Sequence, residues 1–321
     1  MRELFAWHVG ASPYAHRVDV LFWTLTGITG AVALGVITVM AVFAIRYRRE
    51  AVMARGPIDE PPVTGKRWVE ICWIVIPLLI FLAVYVWGAN LYFQYASPPA
   101  KTLEVYVLAK QWMWKVEHGN GRREINELHV PRGQAIKLVM TSQDVIHSFY
   151  VPAFRVKRDV LPGRYAVLWF RPTRSGVYHL FCAEYCGTDH SRMGGRILVM
   201  EPEDFGRWVS SGAPTATLAA AGEEKFRAFG CGGCHGENAT VHAPSLAGIF
   251  GHDVPLATGQ FAHVDERYIR DSILMPSRDI AAGYPDVMPS FTGRVSEEDI
   301  LDLIAYVKSL ASAPSARGDI R

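Results

Sequence analysis

The sequence Cys182-Ala-Glu184-Tyr-Cys186-Gly-Thr-Asp-His190-Ser-Arg-Met193 brings four metal-binding side chains into twelve positions. Two thiolates, an imidazole and a thioether are the soft ligands that copper prefers, and harder metals would be poorly served by them. The alternative is a zinc site, or a disulfide between Cys182 and Cys186, but a structural zinc site gains little from a methionine. The loop therefore predicts a copper site, and His147 is the natural candidate for one more imidazole ligand.

The residues on both sides of this loop have the pattern of β-strands. β-branched and aromatic residues alternate over 102–107, 135–140, 165–170 and 176–181, with Pro and Gly turns between these stretches. This pattern predicts an all-β domain over residues 96–209, built as an antiparallel sandwich. Small and polar residues over 210–222 have the composition of a linker, which indicates that another domain follows.

A second cysteine motif, Cys231-Gly-Gly-Cys234-His235, lies behind the linker. It is the attachment signature of haem c, in which both thiols bind the porphyrin and the histidine binds the iron. A thioredoxin-like redox pair is the alternative, but no βαβ pattern surrounds the motif. Helical patterns over 223–229 and 296–310 predict an all-α domain over 223–312 with a tail over 313–321. Met275 and Met288 are both eligible as the sixth iron ligand.

Two long uncharged segments precede the β-rich region, over 20–45 and 71–94. Each exceeds the roughly 20 residues that a helix needs to cross a bilayer, so residues 1–95 are predicted to form a transmembrane hairpin that contacts lipid. A cleavable signal peptide is the alternative for the first segment, but the segment is too long and ends in RYRR. Cys72 lies within the second segment and is interpreted as a packing residue.

Basic residues in a short loop mark the cytoplasmic side of a membrane. The loop between the two segments carries Arg46, Arg48, Arg49, Arg55, Lys66 and Arg67. Both termini and both later domains are therefore expected on the extracytoplasmic, periplasmic side of the cell membrane. The formal net charge of the 321-residue chain is +2, with no long basic or acidic run, so a partner nucleic acid is not expected.

Taken with the cysteine loop, the run Ser142-Gln-Asp144-Val-Ile-His147-Ser-Phe-Tyr-Val151-Pro152 resembles cytochrome c oxidase subunit II. The haem motif behind it is similar to the cytochrome c domain of caa3-type oxidases. The resemblance implies a cupredoxin-like sandwich with a dinuclear copper centre, CuA, followed by a class I cytochrome c domain. Cys182 and Cys186 would bridge the coppers, and the terminal ligands would be His147, His190, Met193 and the Glu184 carbonyl. It also implies that the Glu184 side chain binds magnesium at the border with subunit I.

The same resemblance extends to residues outside the cysteine loops. Gln111-Trp112-Met113-Trp114 is similar to an aromatic patch in which the first tryptophan is the point where electrons enter the copper centre. Met113 departs from that pattern, and the alternative is that the two tryptophans form one packed face of a strand. Glu70 resembles the entrance to a proton pathway, although a carboxylate at a helix N-terminus needs no such function.

In the haem domain, the loop at Pro244 resembles that of small c-type cytochromes whose proline carbonyl accepts a hydrogen bond from the iron-binding histidine. Met288 matches the family pattern of a methionine before the last helix better than Met275, which ends a helical stretch and suits a core position.

The function that the resemblance implies is electron input to a respiratory terminal oxidase. Haem c would take electrons from a cytochrome c or a quinol-oxidising complex and pass them through CuA to subunit I. There oxygen would be reduced to water with proton translocation, and subunit III is a further expected partner. This chain would hold no oxygen-reducing site. The alternatives are an accessory subunit of a nitric oxide reductase and a membrane-tethered electron carrier.

Overall fold

The computed structural model describes residues 10–48, 67–211, 217–236, 239, 241 and 243–310. It divides into a helical unit, Pro13–Pro98, and a second unit that contains the rest of the described chain. Arg49, Arg55 and Lys66, on which part of the orientation prediction depends, lie outside the described residues, as does the tail over 313–321.

The helical unit consists of α1 (Pro13–Arg46) and α2 (Arg67–Ala96). Both are long and apolar enough to cross a membrane, with mean hydropathies of 2.4 and 2.6 in their most apolar windows. Their apolar side chains are largely exposed, as expected for residues that face lipid rather than a protein core. The helices contact one another where the ring of Tyr14 stacks on that of Tyr95, with centroids 5.0 Å apart. The two predicted spanning helices are confirmed.

The β-rich region is a sandwich of two five-stranded sheets. The first sheet has the order β3-β2-β1-β5-β8 and the second has the order β4-β10-β9-β6-β7. The strands are β1 (Leu103–Lys110), β2 (Met113–His118), β3 (Arg123–Ile125), β4 (Glu127–Pro131), β5 (Ile136–Ser142), β6 (His147–Val151), β7 (Val156–Val160), β8 (Ala166–Phe170), β9 (Gly176–Cys182) and β10 (Gly194–Met200). The predicted all-β sandwich is confirmed.

The prediction of a purely antiparallel sandwich is wrong in two places. Strand β1 pairs with β5 in parallel, and β10 pairs with β4 in parallel. The reason is that the chain passes from the first sheet to the second after β3 and returns at β5, so β5 runs in the same direction as β1. Side-chain alternation cannot reveal such a crossing, because it has the same period in parallel and antiparallel strands.

Between the sheets, Trp114, Phe149 and Phe154 are fully buried. Trp114 meets Phe149 edge to face at 5.2 Å, and Phe154 stacks on Phe170 at 4.7 Å. Aromatic pairs of this kind contribute beyond the area that they bury. They fix the strands that carry the metal-binding candidates.

A short helix, α3 (Pro202–Ser210), follows the sandwich, and the domain that is predicted to bind haem (the haem domain) begins with α4 (Leu218–Ala228). The predicted linker over 210–222 therefore overlaps these helices at Ser210 and at 218–222. Ser210 closes α3, and α4 starts at Leu218 because the Thr217 side chain accepts a hydrogen bond from the Ala220 amide and caps the helix. The small residues at the start of α4 are typical of a linker as well as of a helix, so composition alone did not separate the two.

The rest of the haem domain consists of α5 (Gly232–His235), the short strands β11 (Asp253–Pro255) and β12 (Phe261–His263), α6 (Glu266–Leu274) and α7 (Glu297–Ser309). The helical prediction is confirmed, with the small hairpin β11–β12 as an addition to it. Helix α7 begins at a capping box, in which the side chains of Ser296 and Asp299 each bond the other residue's amide.

Helices α4 and α7 cross at Gly222. A Cβ atom built on Gly222 would lie 1.9 Å from the Asp302 carbonyl oxygen, so only glycine permits this approach.

We therefore expect Gly222→Ala to destabilise the haem domain by about 1–3 kcal/mol, because the added methyl group must push the two helices apart. Thermal unfolding of the purified chain measures the loss. Gly206→Ala is the matched control, since Gly206 lies within α3 and a Cβ there meets no atom within 4 Å. The control should be neutral or slightly stabilising, and equal losses in both variants would contradict the crossing argument.

Candidate functional site

The cysteine loop connects β9 to β10 and folds back on itself. Cys182 is the last residue of β9, and His190 opens a short 3-10 turn (His190–Arg192) just before Met193. The Sγ atoms of Cys182 and Cys186 lie 3.8 Å apart as free thiols. Cys186 Sγ also lies 3.4 Å from His190 Nδ1 and 3.7 Å from Met193 Sδ. The loop thus gathers its four soft donors around one point.

His147 completes the cluster from the other side. It is the first residue of β6, fully buried, and its Nδ1 lies 3.9 Å from Cys182 Sγ. Its Nε2 bonds Asp144 Oδ1 at 2.8 Å, an arrangement that leaves Nδ1 as the nitrogen facing the thiols. The Glu184 carbonyl oxygen lies 3.3 Å from Cys182 Sγ, and its side chain is exposed. All six predicted copper ligands are therefore brought together.

The electrostatics of the cluster favour a bound cation. Burial opposes ionisation of Cys182, but hydrogen bonds with His147, with the Glu184 and Ser148 backbones and with Cys186 together outweigh it and lower the pKa of this thiol to about 6. Burial and the adjacent Cys182 raise the pKa of Cys186 to about 12. Two neighbouring thiolates repel one another, so a metal ion is what would hold both in the ionised form that binds metals.

The donor set fits a copper pair better than zinc. A metal ion about 2.3 Å from sulfur can contact both thiolates at their observed separation, so both can bridge. The remaining donors are two imidazoles, a thioether and a carbonyl oxygen, which exceed the four positions of a structural zinc site.

Trp112 lies directly over the loop. Its Nε1 donates to the Cys186 carbonyl oxygen at 3.2 Å, and Gln111 Nε2 donates to the same oxygen at 2.8 Å. Gly187, at φ +114, makes this possible, because a Cβ there would lie 3.0 Å from Gln111 Nε2 and 3.3 Å from the Trp112 ring. Trp114 is instead buried, with its ring 6.0 Å from the His147 ring. The two tryptophans thus have different surroundings rather than one shared face.

The haem domain contains an apolar crevice with the second cysteine motif on its wall. Cys231, Cys234 and His235 line it together with Met288, and most of the other lining side chains are apolar. His235 Nδ1 lies 2.9 Å from the Pro244 carbonyl oxygen, which directs Nε2 away from that loop. Thiols, an oriented imidazole and a thioether around one apolar space are the donors that a covalent haem requires.

The two methionines that the sequence left open differ in position. Met288 lines the crevice, whereas Met275 follows the end of α6 and is 44% exposed. Glu70 lies in the first turn of α2, where the helix dipole alone stabilises a carboxylate.

Sequence reasoning missed the role of Asp144, which positions His147 and also accepts a hydrogen bond from the Gln111 amide at 2.7 Å. An acidic residue three positions before a candidate ligand was the available signal. It also missed a cluster in which Glu124 bonds both His118 and His129. Glu127 lies near this cluster and pairs with Arg196. Because each group has a protein partner, we interpret this cluster as a structural network.

Comparison with protein-family profiles matches most of the chain. Residues 3–91 match the transmembrane domain of cytochrome c oxidase subunit II, and residues 82–200 match the periplasmic domain of the same subunit. Residues 219–311 match cytochrome c.

Relatives support the same assignment. Cytochrome c oxidase subunit 2 of Alkalihalophilus pseudofirmus is 33% identical over 300 residues, which cover 87% of this chain and 83% of the relative. Alternative cytochrome c oxidase subunit 2 of Bradyrhizobium diazoefficiens is 27% identical over 234 residues, 63% of this chain and 81% of the relative. The crystal structure of the periplasmic domain of oxidase subunit II from Bradyrhizobium japonicum is 32% identical, with a TM-score of 0.35 over 36% of this chain and 96% of that chain.

We expect Asp144→Asn to lower copper affinity by about 10- to 100-fold, because the carboxylate fixes the orientation of His147 and raises its basicity. Competition with a chromophoric copper chelator measures the affinity. Asp204→Asn is the control, since the Asp204 side chain on α3 is half-exposed and pairs only with Arg207 among the contacts described. An unchanged affinity in Asp144→Asn would contradict the positioning role.

Proposed function

The chain belongs to the cytochrome c oxidase subunit II family, and on that basis we propose how its residues serve electron input to the oxidase. It is the subunit of a haem–copper oxidase with a fused cytochrome c domain, and the nitric oxide reductase alternative is not favoured. The observation that carries the residue assignment is the convergence of four further donor groups on two buried thiols.

In the proposed centre, Cys182 and Cys186 would hold the copper pair between them, and His147, His190, Met193 and the Glu184 carbonyl would supply the remaining ligands. Asp144 orients His147, and the aromatic core around Trp114 excludes water from that side of the cluster. Trp112, held on the Cys186 carbonyl, is the residue through which electrons enter. When bound, the copper pair and the haem each take up and release one electron.

In the haem domain, Cys231 and Cys234 would hold the porphyrin covalently and His235 would bind the iron, with its imidazole oriented by the Pro244 carbonyl. Met288 would supply the sixth ligand. Its place on the wall of the crevice that His235 also lines supports it over Met275.

Further assignments remain predictions. They are magnesium binding by Glu184 at the subunit I border, proton entrance at Glu70, association with subunit III, and a cytochrome c or quinol-oxidising complex as donor. The boundaries between the domains and the periplasmic placement of both domains and both termini belong with them. The exposed Glu184 side chain is consistent with magnesium binding. Arg46 at the end of α1 and Arg48 just beyond it are consistent with a cytoplasmic loop between the two helices.

Metal analysis with optical and EPR spectroscopy on the purified complex tests the assignment. We expect about two coppers and about one covalent haem for each copy of this chain, with a delocalised mixed-valence copper signal. Subunit I is expected to contribute copper of its own. The copper held by this chain is therefore measured as the difference in copper content between the unaltered complex and the Cys186→Ser complex. Zinc in place of copper, or a mononuclear copper signal from this chain, would contradict the assignment of a dinuclear copper centre.

The choice of iron ligand has its own matched pair of variants. Met288→Ala should lower the reduction potential of the haem and change its ferric absorption spectrum, because a thioether ligand raises the potential. Met275→Ala should leave both unchanged. Redox titration of the two variants decides between the methionines, and the reverse pattern would assign Met275.

A further inference from the structure

The outer face of the first sheet is covered by the haem domain. Tyr106 on β1 and Val139 on β5 pack with Leu218 of α4 and Leu301 of α7, and none of the four is more than 4% exposed. Tyr165 packs against this cluster and also against the core of the haem domain. The contact therefore has a dry apolar centre, which resembles the core of a specific interface.

Charged groups surround this apolar centre and are complementary across it. Lys115 Nζ of β2 lies 2.6 Å from Glu298 Oε1 of α7, and Arg123 lies 3.9 Å from Asp302. At the other end, Lys308 of α7 pairs with Glu104 of β1. Arg270 of the haem domain donates to the Gly163 carbonyl oxygen at 3.5 Å. Partly exposed pairs add little stability singly, but several in a fixed array define one orientation.

Helix α7 uses opposite sides for this contact and for the haem crevice. Successive residues of a helix turn by about 100°. Glu298, Leu301 and Lys308 therefore share the side that meets the sheet. Leu303 and Val307 lie on the other side and line the crevice. Docking leaves the crevice wall around Met288 on the far side of α7 from the sheet.

The connection between the domains limits how far they can separate. Only the seven residues 211–217 lie between α3 and α4, and a fully extended segment of that length spans about 25 Å. Helix α3 is itself held on the sandwich, because Trp208 stacks on His129 with centroids 4.4 Å apart and lies under Arg122. A short connection of this kind gives the docked contact a high effective concentration.

We propose that the haem domain works while docked on the first sheet through the outer side of α7, held by complementary charge. An external redox partner then reaches the haem from the side that α7 does not cover. The docking itself needs only the contacts above, whereas its role in electron input rests on the proposed function.

Carbodiimide cross-linking of the full-length chain in its oxidase complex tests the docking, since this zero-length reagent joins an amine to a carboxylate only when they touch. We expect Lys115–Glu298 and Lys308–Glu104 cross-links in the peptide mass spectra. Lys308–Glu266, at 3.0 Å within the haem domain, is the internal control. Absence of both interdomain cross-links, with the internal one present, would overturn the proposal.

Charge reversal then tests what holds the contact. Lys115→Glu faces Glu298 with a like charge and should lower the yield of the Lys308–Glu104 cross-link several-fold, while Lys308–Glu266 stays unchanged. The double variant Lys115→Glu/Glu298→Lys should restore the yield. Arg174→Glu, an exposed reversal in the loop two residues before β9, is the matched control. If Lys115→Glu leaves the interdomain yield as high as the control does, docking by complementary charge is wrong.

Copper and haem contents of each variant keep the two proposals separate. Loss of metal or haem with normal cross-links would count against the proposed function and leave the docking intact. Normal contents without interdomain cross-links would count against the docking alone.

Discussion

Two buried thiols held 3.8 Å apart are the constraint on which the metal-binding half of this molecule depends. Their neighbourhood lowers the pKa of Cys182 and raises the pKa of Cys186, so ionising both thiols is unfavourable unless a cation binds between them. Holding thiols in that position requires a rigid frame. The sandwich provides it, because the loop is fixed at both ends by β9 and β10, while His147 is presented by β6, which pairs with β9.

The haem crevice is also held in place by packed regular elements, which here are helices rather than strands. The attachment motif lies directly behind α4, and Met288 reaches the crevice from the segment before α7. The two segments meet because α4 and α7 cross at Gly222, where the backbones approach too closely for any side chain. In both domains, ligand-bearing segments are irregular and the regular elements that hold them are tightly packed, which is how proteins usually position binding residues.

The sequence indicated candidate site residues more directly than the architecture around them. Motif spacing singled out Cys182, Cys186, Cys231 and Cys234, because ligand chemistry demands particular residue types at short range. The parallel pairing of β1 with β5 was not predictable, since alternation carries no information on strand direction. The pairing of Lys115 with Glu298 was equally hidden, because the residues are 183 positions apart and any exposed lysine could have had a solvated role.

Fusion of the haem domain to the sandwich has a physical consequence beyond proximity. A freely tethered domain would have to find its docking position for every electron, and the linker would set how often it did so. Here an apolar centre at Tyr106 and Leu301, with complementary charges around it, selects one orientation. That orientation occupies the outer side of α7 with an internal contact and leaves the other side to the haem. On the proposed function, an external donor would approach the crevice from that other side, where Val287 is exposed next to Met288 in the sequence.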